Sequence, residues 1–166
     1  MQLGARSGVG FDIAENILGQ ARGIAAEAGI DNCDFVCCNI LDIPQAYNES
    51  FDFIMFTIGA ITWFKDIELL FAKVGECLKP GGVLLINDFH PVMNMLPLPG
   101  EPGYDAGRLG KLAYSYFRRE PWLEENGVGY ISGEYASKLF TSYSHTLSAI
   151  INAVIGASMR ITALHE

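Results

Sequence analysis

The chain has 166 residues, of which 50% are hydrophobic and 18% are charged, and its net charge is −8 at pH 7. This length and apolar content are typical of a single folded domain and exclude a disordered chain. The acidic balance lacks the positive surface that nucleic acids and anionic membranes attract, so we expect neither as a partner.

No sequence feature predicts a membrane or metal-binding protein. The longest apolar run, residues 53–64, is shorter than the ~20 residues of a bilayer-spanning helix, and the N-terminus does not read as a signal peptide. We therefore expect a cytoplasmic protein. The cysteines show neither metal-ligand spacing nor a redox CxxC motif, so we expect no metal and interpret them as free thiols: Cys33, Cys37, Cys38 and Cys77.

The first predicted element lies in the glycine-rich stretch GARSGVGFDIAEN, residues 4–16. A phosphate-binding glycine loop needs a strand before it and a helix directly after it, and only three residues precede this stretch. Residues 5–11 are therefore predicted to form a strand that ends at Asp12. An acidic residue at that place in a doubly wound fold accepts hydrogen bonds from ribose hydroxyls.

Helices and strands then alternate along the chain. Apolar residues at helical spacing predict a helix from residue 14 or 15 to a stop at Gly29, and short apolar runs predict buried strands. Strands of this kind, separated by helices, indicate a parallel sheet covered by helices on both faces, and so an α/β fold. The further predicted elements are strands at 34–38, 51–56 and 83–87 and a helix at 67–78.

The segment from residue 90 to 143 differs from its surroundings, because it holds five prolines and six tyrosines. We predict that it is a cap or lid inserted after a core formed by residues 1–89. Periodicity returns with a predicted helix at 147–155 and a strand at 159–164, so residues 144–166 are expected to rejoin the core.

Four motifs follow one another along the chain: GVGFDIAENIL (8–18), NILDIP (39–44), FDFIMFTIGAITWFKDI (51–67) and LKPGGVLLINDFHP (78–91). In this order they resemble the class I S-adenosylmethionine-dependent methyltransferases, in particular the family of small-molecule methyltransferase domains. The resemblance covers nearly the whole chain. It implies a Rossmann-like, mostly parallel sheet, S-adenosylmethionine as the cofactor and a small molecule as the methyl acceptor.

The resemblance also implies which residues bind the adenosine part of the cofactor. Asp12, with Ile13 beside it, matches the acid that binds the ribose hydroxyls, although it can equally cap the helix that follows. Asn39 stands where the family usually has an aspartate that accepts from the adenine amino group, and a backbone N–H of Ile40 or Leu41 would serve a ring nitrogen. A plain turn-forming role for Asn39 is the alternative.

Other residues are expected to bind the methionine part and the substrate. Thr57, Ile58 and Gly59 leave the carboxyl end of a strand, where open sheets bind ligands, and a glycine allows close backbone approach. Trp63 is a candidate wall of the substrate pocket or a core residue. Four tyrosines of the lid are candidates for substrate contacts or for packing of the lid: Tyr104, Tyr114, Tyr116 and Tyr130. Two histidines, His90 and His145, are candidate proton acceptors.

Two parts of the family pattern have no counterpart in this sequence. They are the first strand with its glycine-rich loop and a last antiparallel strand, so the fold is expected to be truncated. The resemblance assigns the methionine carboxylate end of the cofactor to that loop, so the cofactor site is expected to be incomplete. We expect the strands that flank the missing central strand to close up on each other, together with a homodimer formed through unpaired strands. A strand donated by a partner chain, or a chain that is a fragment of a longer product, are the alternatives.

Three functions stay open at this point. The first is a methyltransferase-like protein that acts on a small molecule and is impaired by truncation. The second is a non-catalytic relative that serves as a binding or oligomerising module. The third, a nicotinamide-dinucleotide domain, depends on Asp12 alone.

Overall fold

The computed structural model describes residues 4–99, 101, 103–128 and 134–165. Strands and helices alternate up to residue 86, a long segment with an antiparallel hairpin follows, and a final helix returns to the core. The elements are β1 (Gly8–Asp12), α1 (Glu15–Glu27), β2 (Cys33–Cys37), β3 (Phe51–Phe56), α2 (Ile67–Cys77), β4 (Leu78–Ile86), β5 (Trp122–Val128), β6 (Glu134–Ser142) and α3 (Leu147–Gly156).

The predicted α/β architecture with parallel strands is confirmed. β1 pairs with β2 in parallel, and β3 pairs with β4 in parallel. The helix α1 connects the first pair, and α2 connects the second. Gly29, predicted to stop the first helix, lies two residues past the end of α1 with a φ of +66°, the left-handed conformation that glycine adopts without strain.

The expectation that the strands flanking the missing strand close up on each other is wrong. Among the described residues, β1–β2 and β3–β4 form separate two-stranded sheets. Aromatic side chains of the two halves contact each other: the ring centroid of Phe11 is 6.1 Å from that of Phe51 and 5.1 Å from that of Tyr47. The strands β1 and β3 instead line a groove of about 860 Å³ and contact each other only through side chains, so their backbones do not reach the ~4.8 Å spacing of paired strands.

The core lies between the β3–β4 sheet and the helices α2 and α3. Leu70 and Phe71 of α2 are completely buried, and Val154 of α3 is 8% exposed. Asp66 accepts a hydrogen bond from the Leu69 N–H at 3.0 Å, which satisfies one of the free donors at the start of α2. The cluster formed here is Ile61, Ile67, Phe71, Ala153 and Val154, with Phe56, Leu84 and Ile86 of the sheet packed against it.

The opposite face of the β3–β4 sheet carries exposed apolar side chains. The register pairs Phe53 with Val83 and Met55 with Leu85, so the four residues are neighbours on one face. Between 47% and 55% of each residue is exposed. A parallel sheet normally has both faces covered, and the described residues leave this face open.

The LKPGG motif forms part of β4, whereas the sequence predicted that the strand begins at residue 83. Phe51 pairs with Leu78 and Phe53 with Val83, so the intervening residues bulge out of the ladder. Gly81 has a φ of +80°, and a Cβ at Gly82 would lie 2.9 Å from the Lys79 carbonyl oxygen. The motif therefore ends α2 at Cys77, as predicted, and starts the strand directly.

Two further expectations differ from the structure. The strand predicted at 159–164 is not formed: these residues and β4 line the same cavity of about 1300 Å³, here called the second cavity, and no strand edge of the described residues pairs with them. Within the segment from 90 to 143, β5 and β6 form an antiparallel hairpin that the sequence did not predict. None of the α-helices in the described part of the chain combines the length and apolarity needed to cross a bilayer.

Candidate functional site

A groove of about 860 Å³ opens between the β1–β2 sheet and the β3–β4 sheet. The end of β1, the turn after β2 and the loop after β3 form its polar rim, because carboxyl ends of parallel strands open towards the same edge. Every residue predicted to bind the cofactor lines this groove, and so does Trp63. The cofactor residues are Asp12, Ile13, Asn39, Ile40, Leu41, Thr57, Ile58 and Gly59.

Asp12 is half-buried at the end of β1. Its Oδ1 accepts a hydrogen bond from the Ala14 N–H at 2.7 Å. Ala14 itself is the N-cap residue of α1, so Asp12 does not cap the helix in the usual way but shapes the turn that leads into it. Its Oδ2 has no hydrogen-bond partner among the described residues and can accept from a ligand hydroxyl.

Asn39 forms the turn after β2. Its Oδ1 accepts from the Leu41 N–H at 3.1 Å, and its carbonyl oxygen accepts from the Asp42 N–H at 2.9 Å. The side-chain oxygen of Asn39 therefore has the contact expected of a turn-forming residue, which was the alternative to adenine binding. The N–H of Leu41, one of the two predicted donors to an adenine nitrogen, is already used within the turn, which leaves Ile40 as the other predicted donor.

The loop after β3 is a tight turn with an open inner surface. The Ala60 N–H donates to the Thr57 carbonyl oxygen at 3.2 Å, and Gly59 has a φ of +81°, as in a type II turn. A Cβ built on Gly59 would meet no atom within 4 Å. The glycine is thus required by the backbone conformation, and the space beside it is available to a ligand.

Asp88 is a site residue that the sequence analysis did not identify. It follows β4, and its carboxylate accepts hydrogen bonds from the Gly59 N–H at 2.9 Å and the Ile61 N–H at 3.3 Å. The only available signal was an acidic residue directly after a predicted strand. That signal does not reveal a contact with a loop 29 residues earlier in the chain.

Trp63 lies at the other end of the same loop and is 54% exposed. Its ring makes an edge-on contact with the Phe140 ring, with 5.7 Å between the ring centroids. Tyr143, which was not predicted, also lines the groove. Its N–H donates to the Thr62 carbonyl oxygen at 2.8 Å, and the Thr62 hydroxyl donates to the Tyr143 carbonyl oxygen at 3.0 Å.

The structure places both candidate histidines outside the groove. His90 lines the second cavity, and its Nδ1 accepts from the Val92 N–H at 3.2 Å. His145 donates from Nε2 to the Phe64 carbonyl oxygen at 2.8 Å. Burial lowers the pKa of His145, and its hydrogen bond to Phe64 opposes that shift. Neither histidine is among the residues that line the groove, whereas Phe64, to which His145 donates, is one of them.

The described lid tyrosines also lie away from the groove lining. The Tyr116 hydroxyl accepts from the Leu147 N–H at 2.9 Å, and the Tyr114 hydroxyl donates to Glu101 at 3.3 Å. Tyr104 is 37% exposed. Tyr130 lies outside the described residues. In the part of the chain that the structure describes, no group of three or more His, Cys, Asp or Glu side chains is arranged to hold a metal ion.

Comparisons with known proteins agree with this arrangement of elements. An S-adenosylmethionine-dependent methyltransferase from Mesorhizobium loti superposes with a TM-score of 0.67 at 24% identity, over 94% of this chain and 64% of that chain. One from Clostridium acetobutylicum superposes with a TM-score of 0.64 at 14% identity, over 95% of this chain and 66% of that chain. This chain therefore has the same Rossmann-like fold and spans less than two thirds of the length of the Mesorhizobium protein.

The family of this chain is identified by comparison of its sequence. A search of curated protein sequences finds no match. The family described as "Methyltransferase domain" matches residues 3–116, more than half of the chain, and this range includes β1 to β4 and the groove between them. On this match, and with the fold in agreement, the chain belongs to the methyltransferase domain family.

Proposed function

We propose that the groove binds S-adenosylmethionine and that the domain takes part in methyl transfer to a small molecule. The observation that carries the proposal is the convergence of three sequence-distant segments, ending at Ile13, Leu41 and Gly59, on one groove. These segments are the ones that the family resemblance associates with the cofactor. Their placement at the carboxyl ends of parallel strands is typical of nucleotide sites in open α/β sheets.

The groups present fit the adenosine half of the cofactor. Asp12 offers a carboxylate oxygen that is free among the described residues, which suits one hydroxyl of a ribose diol. The turn at residues 39–41 and the side chain of Ile13 supply an edge and an apolar wall for a flat base. The turn at Gly59 offers backbone approach for the methionine half, because no atom occupies the space beside its Cα.

S-adenosylmethionine, when bound, supplies a methyl group on a positively charged sulfur. The chain would then contribute binding, orientation and exclusion of water, which supply most of the rate in a displacement that needs no covalent nucleophile. The predicted roles of His90 and His145 as proton acceptors gain no support from their positions outside the groove. We propose positioning by the groove, and not a histidine base, as the main contribution.

Calorimetric titration tests the proposal. We expect saturable binding of S-adenosylmethionine and S-adenosylhomocysteine, and we expect Asp12→Ala to weaken both at least about tenfold, since a hydrogen bond to a charged group contributes roughly 1.5–3 kcal/mol. Asp34→Ala is the matched control, because it removes an exposed carboxylate from the neighbouring strand β2. Absence of binding at millimolar ligand would contradict cofactor use, and an equal loss in both variants would contradict the role of Asp12.

A second candidate function is supported by the separation of the two sheets. Within the described residues, the edges of β1 and β3 that face the groove make no backbone pairs, and β3 and β4 expose four apolar side chains. Such edges and faces promote association with another polypeptide. We propose self-association into a homodimer as the alternative, tested by light scattering over a range of concentrations. A monomer at all concentrations that still binds the cofactor would exclude it.

A further inference from the structure

Asp88 lines the second cavity and accepts a hydrogen bond from Gly59, which lines the groove. It lies two residues past the end of β4, is half-buried and lines the second cavity, not the groove. Its carboxylate accepts three backbone N–H groups, from Gly59 at 2.9 Å, Ile61 at 3.3 Å and Phe89 at 2.8 Å. Hydrogen bonds to a charged acceptor are stronger than those between neutral groups.

The bond from Gly59 holds the turn at residues 57–60, and the bond from Ile61 holds the residue directly after it. Residues 57–60 line the groove, which Asp88 does not, and a Cβ built on Gly59 would meet no atom within 4 Å. The conformation of the turn needs a positive φ at Gly59, and glycine is also the residue with the most alternative conformations. Without the carboxylate, the Gly59 and Ile61 N–H groups would lose their acceptor, and the bond from the Ala60 N–H to the Thr57 carbonyl oxygen would be the remaining hydrogen bond that restrains the turn.

The chain after the turn is fixed independently of Asp88. Ile61 is 4% exposed and belongs to the core cluster, and Thr62 makes two hydrogen bonds with Tyr143. Before the turn, Phe56 belongs to the paired strand β3. Removal of the Asp88 carboxylate is therefore expected to change the turn locally and to leave the core and both helices intact.

We propose that Asp88 is a positioning residue for cofactor binding. Its carboxylate holds the turn at 57–60 in the shape that accepts the methionine half of an S-adenosyl ligand, although Asp88 itself does not line the groove. The proposal rests on the proposed function, since it assigns this half of the ligand to the Gly59 side of the groove. The adenosine half would be held by Asp12 and the turn at Asn39, which Asp88 does not contact.

The first experiment measures amide hydrogen exchange in the ligand-free protein, wild type against Asp88→Ala and Asp88→Asn. We expect the peptide that contains Gly59 and Ile61 to exchange at least about tenfold faster in Asp88→Ala, with Asp88→Asn between the two, while peptides from α2 and α3 keep their rates. Asp105→Asn is the control, since Asp105 also accepts a backbone N–H in a turn, from Gly107 at 2.9 Å. Unchanged exchange at residues 57–61, or an equal increase in α2 and α3, would overturn the proposal.

The second experiment titrates S-adenosylmethionine, S-adenosylhomocysteine and adenosine into the same variants. We expect Asp88→Ala to weaken the first two ligands at least about tenfold and adenosine less than twofold. An equal loss for all three ligands, or no loss, would overturn the positioning role. A wild-type protein that binds none of the three ligands would contradict the proposed function, and with it the role of Asp88 in ligand binding. Whether Asp88 restrains the turn is decided separately by the exchange rates.

Discussion

The polar side chains around the groove lie where parallel strands end. Asp12 is the last residue of β1, Asn39 follows β2, and Asp88 follows β4; each accepts a backbone N–H in or across a turn. The first two could be predicted, because an apolar run with a polar residue at its end is visible in the sequence. The contact of Asp88 with Gly59 could not, because it depends on the pairing of β3 with β4.

His145 gives a prediction about the pH dependence of stability. Burial lowers the pKa of His145 in the folded protein, so the unfolded chain binds more protons between the folded pKa and the ordinary value of about 6.5. The stabilisation by neutral His145 is therefore complete above about pH 6.5 and decreases as the pH falls below it. Urea unfolding of wild type and His145→Gln between about pH 5 and 8 measures it.

In that comparison, glutamine keeps a donor for the Phe64 carbonyl oxygen and removes the titration. We expect the difference in unfolding free energy between the two proteins to be constant above about pH 7 and to shift against the wild type towards pH 5. His90 and His165 are present in both proteins and cancel. A difference that stays constant over the whole range would contradict the assignment.

At the scale of elements, local patterns predict helices and paired strands, but pairing partners decide the remaining segments. The predicted strand at 51–56 agrees with β3, and the predicted helix at 67–78 agrees with α2 within one residue. Residues 159–164 have a strand-like composition and yet form no strand, and no strand edge of the described residues pairs with them. The residue pattern of one segment does not show whether the edge of another strand lies close enough to pair with it.

The turn between α2 and β4 gives a prediction about stability. A Cβ at Gly82 would lie 2.9 Å from the Lys79 carbonyl oxygen and 3.0 Å from that of Phe51, both backbone atoms that cannot rotate away. We expect Gly82→Ala to lower the unfolding free energy by about 1–3 kcal/mol, the usual cost of overpacking. The midpoint of urea unfolding measures this change.

Gly19→Ala is the matched control for that substitution. Gly19 lies inside α1, where an added Cβ meets no atom within 4 Å. Alanine is the better helix former, so we expect a gain of about 0.5–1 kcal/mol. A Gly82→Ala variant as stable as the wild type would contradict the close contact between Gly82 and the backbone oxygens of Lys79 and Phe51.

The whole molecule is organised by the space between its two parallel sheets. The two halves contact each other through the ring of Phe11, and the strand ends on both sides place polar groups at the groove. Family membership and the α/β fold follow from motifs in order along the chain, and both are confirmed. The separation of the sheets could not be predicted, because the pattern of each strand does not show which other strand edge lies close enough to pair with it.

Amide hydrogen exchange with and without saturating S-adenosylhomocysteine tests the central claim, that this groove is the cofactor site. We expect protection in three separate peptides, around residues 12–13, 39–41 and 57–60, and none around residues 91–95 or in β5. At a ligand concentration near the wild-type dissociation constant, Asp12→Ala should strongly reduce this footprint. Protection confined to the second cavity, or no protection in any of the three peptides, would contradict the account.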